Sequence, residues 1–104
     1  MYARITTLET TAEQFDEGLR IVRDDLLPWA RESAGYRGLI GLDSRDEGRT
    51  LVLTLWATAE ALEASRAAAD RLTAGASAIS GANRTTITHF EVPLVDLPGL
   101  ALPA

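Results

Sequence analysis

The feature that most constrains this chain is an apolar run that ends in a tryptophan and turns directly into a helix start. Residues 51–62 read LVLTLWATAEAL. Alternate side chains of a strand point to opposite faces, so both faces of this segment are largely apolar. Such a strand is typical of the centre of a sheet that is covered on both sides. We therefore predict a central strand over Thr50–Trp56 and a helix that begins at the N-cap residue Thr58.

Three other segments have the composition of strands, since they are short and rich in β-branched or aromatic residues. They are Ala3–Leu8, Tyr36–Leu42 and Arg84–Val92. The charged turn at 43–49 predicts a hairpin between the second and third strands, and a second turn is predicted at 80–83. Gly38 and Gly41 in the second strand indicate either a bulge or a close approach by another group.

The first helix is predicted from an apolar stripe at helical spacing. Its members are Phe15, Leu19, Val22, Leu26 and Trp29. Two overlapping capping boxes in TTAEQ, at 10–14, begin it. Pro28 lies inside the stripe and removes a backbone donor, which predicts a kink or an end near Leu27.

The second helix follows Thr58 and carries Leu62, Ala69 and Leu72 with small residues between them. These small residues would allow close approach by a neighbouring element, and Gly75 is expected to end or bend the helix. The element order is then βαββαβ, an α+β ferredoxin-like fold. In that topology the sheet is four-stranded and antiparallel, two helices cover one face, and the first and third strands are central.

Composition sets limits on function. The chain has 104 residues, which we divide into one domain over 1–92 and an apolar, proline-containing tail over 93–104. It has no cysteine, so thiolate chemistry and disulfides are excluded. The net charge is −5 and the arginines are scattered, which argues against nucleic-acid binding. We find neither a signal peptide nor an apolar membrane span, and we expect a cytoplasmic protein.

The apolar character of both faces of the third strand also predicts a homodimer. Two helices cover one face of the sheet, so the other face would leave an apolar patch of several hundred Å² in water. A second copy, packed sheet against sheet, would bury that patch. The apolar tail is expected to pack on the partner subunit.

Two segments resemble a known family. AGYRGLIGL, at 34–42, is similar to a second strand with the pattern Pro-Gly-aromatic-x-Gly, and LVLTLWATAEAL is similar to a strand followed by Trp and an acidic helix start. With the βαββαβ order, the chain resembles the antibiotic-biosynthesis-monooxygenase-like family of the dimeric α+β-barrel superfamily. The resemblance covers residues 2 to about 92.

The resemblance implies either of two functions. The first is a cofactor-independent monooxygenase that acts on a small aromatic such as a quinol or a polyketide-like compound. The alternative is a non-catalytic homodimeric module that binds a small hydrophobic ligand, or an orphan member of the fold. The haem-degrading branch is disfavoured, because Thr6, Ser65 and Ala74 stand approximately where that branch has its asparagine, tryptophan and histidine.

Candidate site residues follow from the resemblance and from side-chain chemistry. The catalytic candidates are His89 and Trp56, and the substrate-binding candidates are Arg4, Thr6, Phe15, Tyr36 and Trp29. A structural or exposed role for His89, and a packing role for Trp56, are the alternatives that we weigh more heavily. Arg4 would stabilise an anion, or would lie near the strand end and extend to solvent. We predict no metal and no cofactor.

Overall fold

The computed structural model describes residues 1–80 and 83–100, and it describes the side chains of these residues except those of 72–80 and 83–85. The four strands are β1 (Tyr2–Glu9), β2 (Tyr36–Ser44), β3 (Arg49–Trp56) and β4 (Asn83–Glu91). The helical segments are α1 (Phe15–Ile21), a π-helix (Val22–Leu26), α2 (Leu27–Glu32) and α3 (Ala59–Ser80). The predicted βαββαβ ferredoxin-like fold is confirmed. The predicted turn at 80–83 includes residues 81–82, which lie outside the described residues, as do 101–104 of the tail.

The sheet has the strand order β2-β3-β1-β4, and each of its three pairs is antiparallel. The prediction that the first and third strands are central is therefore confirmed. Directly paired residues share a face, so the register divides the sheet into two sides. The helices cover the side that carries Thr6, Val52 and Trp56, all of which are buried.

A proline explains why the first helix is built in three parts. Pro28 has no N–H, and its ring crowds the carbonyl four residues earlier. The preceding turn is wider than an α-turn, since the Leu27 N–H donates to the carbonyl of Val22, five residues back. The predicted kink near Leu27 thus takes the form of a π-helix, and the helix ends at Glu32.

The predicted apolar stripe of this helix is wrong at Leu19, whose exposure is 53%. Ile21 is buried in its place, and Phe15 and Leu26 are buried as predicted. At about 100° per residue, Phe15, Ile21 and Val22 lie around a face centred on Gly18. Leu19 is about 100° from that centre and points to solvent.

The helix starts are confirmed in part. The Thr11 N–H donates to Gln14 Oε1 at 2.8 Å, which is one half of the second predicted capping box. Thr10 does not form the first box, because its hydroxyl donates to Thr50 Oγ1 instead. Thr58 caps α3 as predicted, accepting from the Ala61 N–H at 3.1 Å. The helix α3 does not end at Gly75.

A β-bulge sets the direction of Tyr36. The register of β2 against β3 shifts between Tyr36 and Gly38, so Tyr36 pairs with Trp56 and Gly38 pairs with Leu55. The extra residue Arg37 places Tyr36 on the helix-covered side of the sheet. The bulge is one of the two possibilities predicted from the glycines of this strand.

The opposite side of the sheet is apolar and incompletely covered within the chain. Ile5, Ile40, Leu51 and Leu53 lie half-buried on it, and Leu42 and Phe90 are exposed there. The described part of the tail, which follows β4, also exposes Leu94 and Leu100. In the described ranges, no helix is long and apolar enough to cross a membrane.

Candidate functional site

Arg4 lies on β1 and turns inward, below α3. It is 3% exposed, so the expectation that it extends to solvent is wrong. Its Nε donates to His89 Nε2 at 3.2 Å, its Nη1 to Ser65 Oγ at 3.3 Å and its Nη2 to the carbonyl oxygen of Leu62 at 3.1 Å. The strand pairing puts Arg4 opposite His89, and α3 supplies the other two acceptors. These acceptors retain the guanidinium beneath the helix.

The three acceptors around Arg4 carry no formal negative charge. Burial lowers the pKa of Arg4, and Asp70 and Glu63 oppose this effect while Arg66 adds to it. An arginine nevertheless stays protonated in proteins. The interior below α3 therefore holds a positive charge whose three hydrogen-bond acceptors are neutral, while the carboxylates of Asp70 and Glu63 balance part of that charge through space.

His89 is exposed on the edge strand β4 and accepts from Arg4 through Nε2. A neutral imidazole has one acceptor nitrogen and one donor, so the proton lies on Nδ1. Desolvation lowers the pKa of His89, as do the charges of Arg4 and Arg66, while Glu63 and Asp70 oppose them. The hydrogen bond from Arg4 and the lowered pKa both favour the neutral imidazole. The bond to Arg4 occupies the lone pair that a general base would use.

Trp56 is completely buried at the end of β3. Its ring lies 6.2 Å from that of Trp29 and 5.9 Å from that of Tyr36, in tilted and edge-on arrangements respectively. Its Nε1–H donates to Thr54 Oγ1 at 3.0 Å. Burial also raises the pKa of the Tyr36 hydroxyl, which the charge of Arg31 lowers to a smaller extent. Three of the predicted site residues thus form one aromatic cluster, with Trp56 as its buried anchor.

Two of the predicted substrate-binding residues lie outside this cluster. Thr6 is buried on the helix-covered face of β1, opposite Val52 and one pair along from Arg4. Phe15 is buried near the other end of β3, where the Arg45 guanidinium lies 4.9 Å above its ring. The strand from Arg49 to Trp56 spans about 23 Å, so Phe15 does not join the aromatic cluster.

A cleft lies between the end of α2 and α3, with a volume of about 240 Å³. Its lining consists of one aromatic side chain and small residues: Trp29, Ser33, Ala34, Ala61, Ala64, Ser65 and Ala68. We call it the Trp29 cleft. It opens to solvent past Ala34 and Ala64, which are exposed. Ser65 links it to the buried cation, because its hydroxyl accepts from Arg4 and donates to the Leu62 carbonyl at 2.7 Å.

A second cleft, of about 300 Å³, lies on the β4 side of α3. It is lined by Arg66, Asp70, Ile87, Thr88 and His89, and we call it the His89 cleft. Arg4 therefore contacts a residue of each cleft, Ser65 on one side and His89 on the other. Trp56 lines neither of these clefts. No group of three potential metal-ligating side chains occurs among the residues described.

Sequence reasoning missed the small residues that make the Trp29 cleft. The signal was present as the small residues of α3, which spacing alone predicts as a surface for close helix packing. That prediction is correct at one point, where a Cβ added to Gly35 would lie 2.5 Å from the Ala61 Cβ. Further along α3, the same small side chains leave an open volume.

The sheet order and the position of the helices define the fold. The chain has the fold of the antibiotic-biosynthesis-monooxygenase-like proteins, as the sequence resemblance implies. It is similar to a Deinococcus radiodurans protein assigned to the antibiotic biosynthesis monooxygenases, with 16% identity and a TM-score of 0.72 over 92% of this chain and 96% of that one. It is also similar to SnoaB, a cofactor-independent oxygenase from Streptomyces nogalater, with 13% identity and a TM-score of 0.68 over 93% and 96% of the two chains.

The chain is also similar to two other proteins. A variant of MhuD with two manganese protoporphyrin IX molecules bound per active site shares 26% identity and a TM-score of 0.65, over 92% of this chain and 98% of that one. An uncharacterised Mycobacterium tuberculosis protein is 39% identical over 66 residues, which are 64% of this chain. The chain spans about 30% of the length of that relative. No family model matches the sequence.

Proposed function

We propose that the chain is a cofactor-independent monooxygenase-like protein that acts on a small aromatic substrate, a quinol or a polyketide-like compound, bound in the Trp29 cleft. One observation carries the proposal. Ser65 lines this cleft and also accepts a hydrogen bond from the buried Arg4, so a cation excluded from water lies one hydroxyl away from the cleft.

The lining of the cleft suits a flat, electron-rich ring. Trp29 offers an indole for stacking, and the alanines of α3 present a low apolar wall opposite it. A phenolic substrate would place its oxygen at the end of the cleft where Ser65 lies. The Ser65 hydroxyl gives its own proton to the Leu62 carbonyl, so stabilisation of an anion there would be electrostatic. The Arg4 charge behind that hydroxyl favours the phenolate, and a phenolate gives up electrons to oxygen far more readily than the neutral phenol.

The reaction needs no electron source besides the substrate. A quinol with a free ring C–H supplies four electrons to one molecule of oxygen. One oxygen atom replaces the ring hydrogen to give a hydroxyquinone, and the other leaves as water. The protein's part is to orient the ring and to stabilise the anion.

The test is oxygen uptake with a naphthoquinol and metal-stripped protein. It uses two variants that carry the same substitution at positions three residues apart on α3. Ala64→Phe fills the Trp29 cleft, and Ala67→Phe adds the same ring at an exposed position outside its lining. We expect the wild type and Ala67→Phe to consume oxygen above the rate of autoxidation and Ala64→Phe to lose that activity. Equal rates in all three proteins would refute the site.

A non-catalytic ligand-binding module of the same fold is the alternative. It is favoured by the fact that Nε, Nη1 and Nη2 of Arg4 all donate to protein acceptors, which leaves the guanidinium less available to a reacting anion. Quenching of Trp29 fluorescence by the quinol, without oxygen uptake, would support this alternative. Protoporphyrin belongs in the same titration, although Thr6 and Ser65 are not the residues of the haem-degrading branch.

We further propose that the protein is a homodimer, with the uncovered side of the sheet as its interface and the tail packed on the partner. Two leucines of similar exposure provide a matched test: Leu42, at 47%, lies on that side of the sheet, and Leu19, at 53%, lies on α1. Sedimentation at micromolar concentration should give a dimer for the wild type and for Leu19→Arg, and weaker association for Leu42→Arg. A monomeric wild type would refute the interface.

A further inference from the structure

The hydrogen bond between Arg4 and His89 assigns a different role to the histidine than that of a base. Its Nε2 lone pair already accepts from Arg4 Nε at 3.2 Å, so His89 has no free acceptor for a substrate proton. Its other nitrogen carries a proton and is a donor. By accepting the hydrogen bond from Arg4 Nε, the imidazole fixes the orientation of the guanidinium.

We infer that His89 is a positioning residue for Arg4: its neutral imidazole, protonated on Nδ1, fixes the guanidinium against Ser65 in the Trp29 cleft, and uptake of a proton by His89 releases that guanidinium. The geometry of Arg4 carries the inference. Its planar group points Nε at β4 and both Nη atoms at α3, so loss of the Nε acceptor frees the group to rotate away from Ser65.

Solvent reaches one partner of this pair and not the other. His89 is exposed and lines the His89 cleft, whereas Arg4 is buried. A proton added at Nε2 would turn the acceptor into a donor that faces another donor, and it would set two positive charges about one hydrogen-bond length apart. The pair therefore holds together only while His89 is neutral.

The charges that face His89 act in both directions. Arg4 on β1 and Arg66 on α3 disfavour a second positive charge, and Glu63 and Asp70 on α3 favour it. Glu91 lies two residues further along β4 on the same face. The net effect of these charges, together with desolvation, lowers the pKa of His89, so the contact with Arg4 is expected to break only below the ordinary titration range of histidine.

The hydrogen bond is tested in the ligand-free protein by nitrogen NMR, since His89 is the only histidine in the chain. We expect the Nδ1-protonated tautomer at neutral pH. The ¹⁵Nε shift of Arg4 should change with the same midpoint as His89, while that of the exposed Arg23 should not follow it. An Nε2-protonated tautomer, or an Arg4 signal that is indifferent to the His89 titration, would overturn the inference.

The catalytic consequence rests on the proposed function and is tested by the pH profile of oxygen uptake. His89→Gln keeps an acceptor oxygen but does not titrate, so we expect a rate near that of the wild type and loss of the acid limb of kcat/KM. His89→Ala removes the acceptor, and we expect kcat/KM to fall by about tenfold or more at all pH values. Circular dichroism establishes that each variant is folded.

A general base would give a different result. His89→Gln and His89→Ala would then lose similar activity, by about 10²–10⁴-fold. Neither variant would keep the wild-type rate at low pH. That outcome would overturn the positioning role. If the wild-type protein consumes no oxygen with any quinol, the proposed function fails, and the NMR titration still decides whether His89 positions Arg4.

Discussion

Replacing Trp56 by alanine should cost more stability than any other single truncation in the aromatic cluster. The side chain is completely buried and contacts two other rings. A buried aromatic removes about 150–250 Å² from water, which corresponds to about 4–6 kcal/mol at about 25 cal/mol per Å². Because alanine keeps the β-carbon and the neighbours relax in part, we expect a loss of about 3–5 kcal/mol in the free energy of unfolding.

The assay is denaturant unfolding followed by far-ultraviolet circular dichroism, since the substitution removes one of two tryptophans and alters the fluorescence signal. Protein concentration must be held constant, because association would change the midpoint. Trp56→Phe is the matched control: it keeps a ring and loses the hydrogen bond to Thr54, and should cost about 1 kcal/mol. A loss below about 1 kcal/mol for Trp56→Ala would refute its role as an anchor.

Three smaller predictions concern the backbone and the histidine. Gly35→Ala should lower the free energy of unfolding by about 1–3 kcal/mol, because Gly35 has a φ of 79° and an added Cβ would lie 2.5 Å from the Ala61 Cβ. Calorimetry measures this loss, and an unchanged melting temperature would contradict the prediction. Gly18→Ala should raise the free energy of unfolding by about 0.5–1 kcal/mol, because this helical glycine has no atom within 4 Å of an added Cβ, and a decrease in the melting temperature would argue against it. Since folding lowers the pKa of His89 below the ordinary histidine value of 6.5, the unfolded chain binds a proton first as the pH falls through that value. The free energy of unfolding should therefore decline from that pH down to the lowered pKa, and this decline should be absent in His89→Gln. A free energy of unfolding that increases on acidification in the wild type, but not in the variant, would contradict the prediction.

The fold was largely predictable because strand periodicity survives in the sequence. The run from Leu51 to Trp56 is apolar on both faces, and it forms a central strand as that pattern requires. Local insertions are harder to predict. The π-helix before Pro28 and the bulge at Arg37 each add one residue to a regular pattern, and they change which side chains are buried.

The candidate site was less predictable because its contacts join distant parts of the chain. Arg4 was singled out from its place on β1, but its acceptors Ser65 and His89 lie 61 and 85 residues away. An arginine near a strand end reaches solvent unless another element lies over it, and only the packing of α3 decides between these outcomes. Phe15 and Trp56 are both candidate site residues in the sequence, but they lie near opposite ends of β3, and the sequence alone does not show this separation.

The fate of labelled oxygen shows whether the protein inserts oxygen into a quinol. A naphthoquinol is turned over by the metal-free protein under ¹⁸O₂, and the product is analysed by mass spectrometry together with a hydrogen peroxide assay. A monooxygenase that uses the Trp29 cleft should give a hydroxyquinone with a single labelled oxygen atom and no peroxide, and Ala64→Phe should abolish the label. An unlabelled quinone formed with peroxide, at the same rate in Ala64→Phe, would contradict oxygen insertion in the Trp29 cleft.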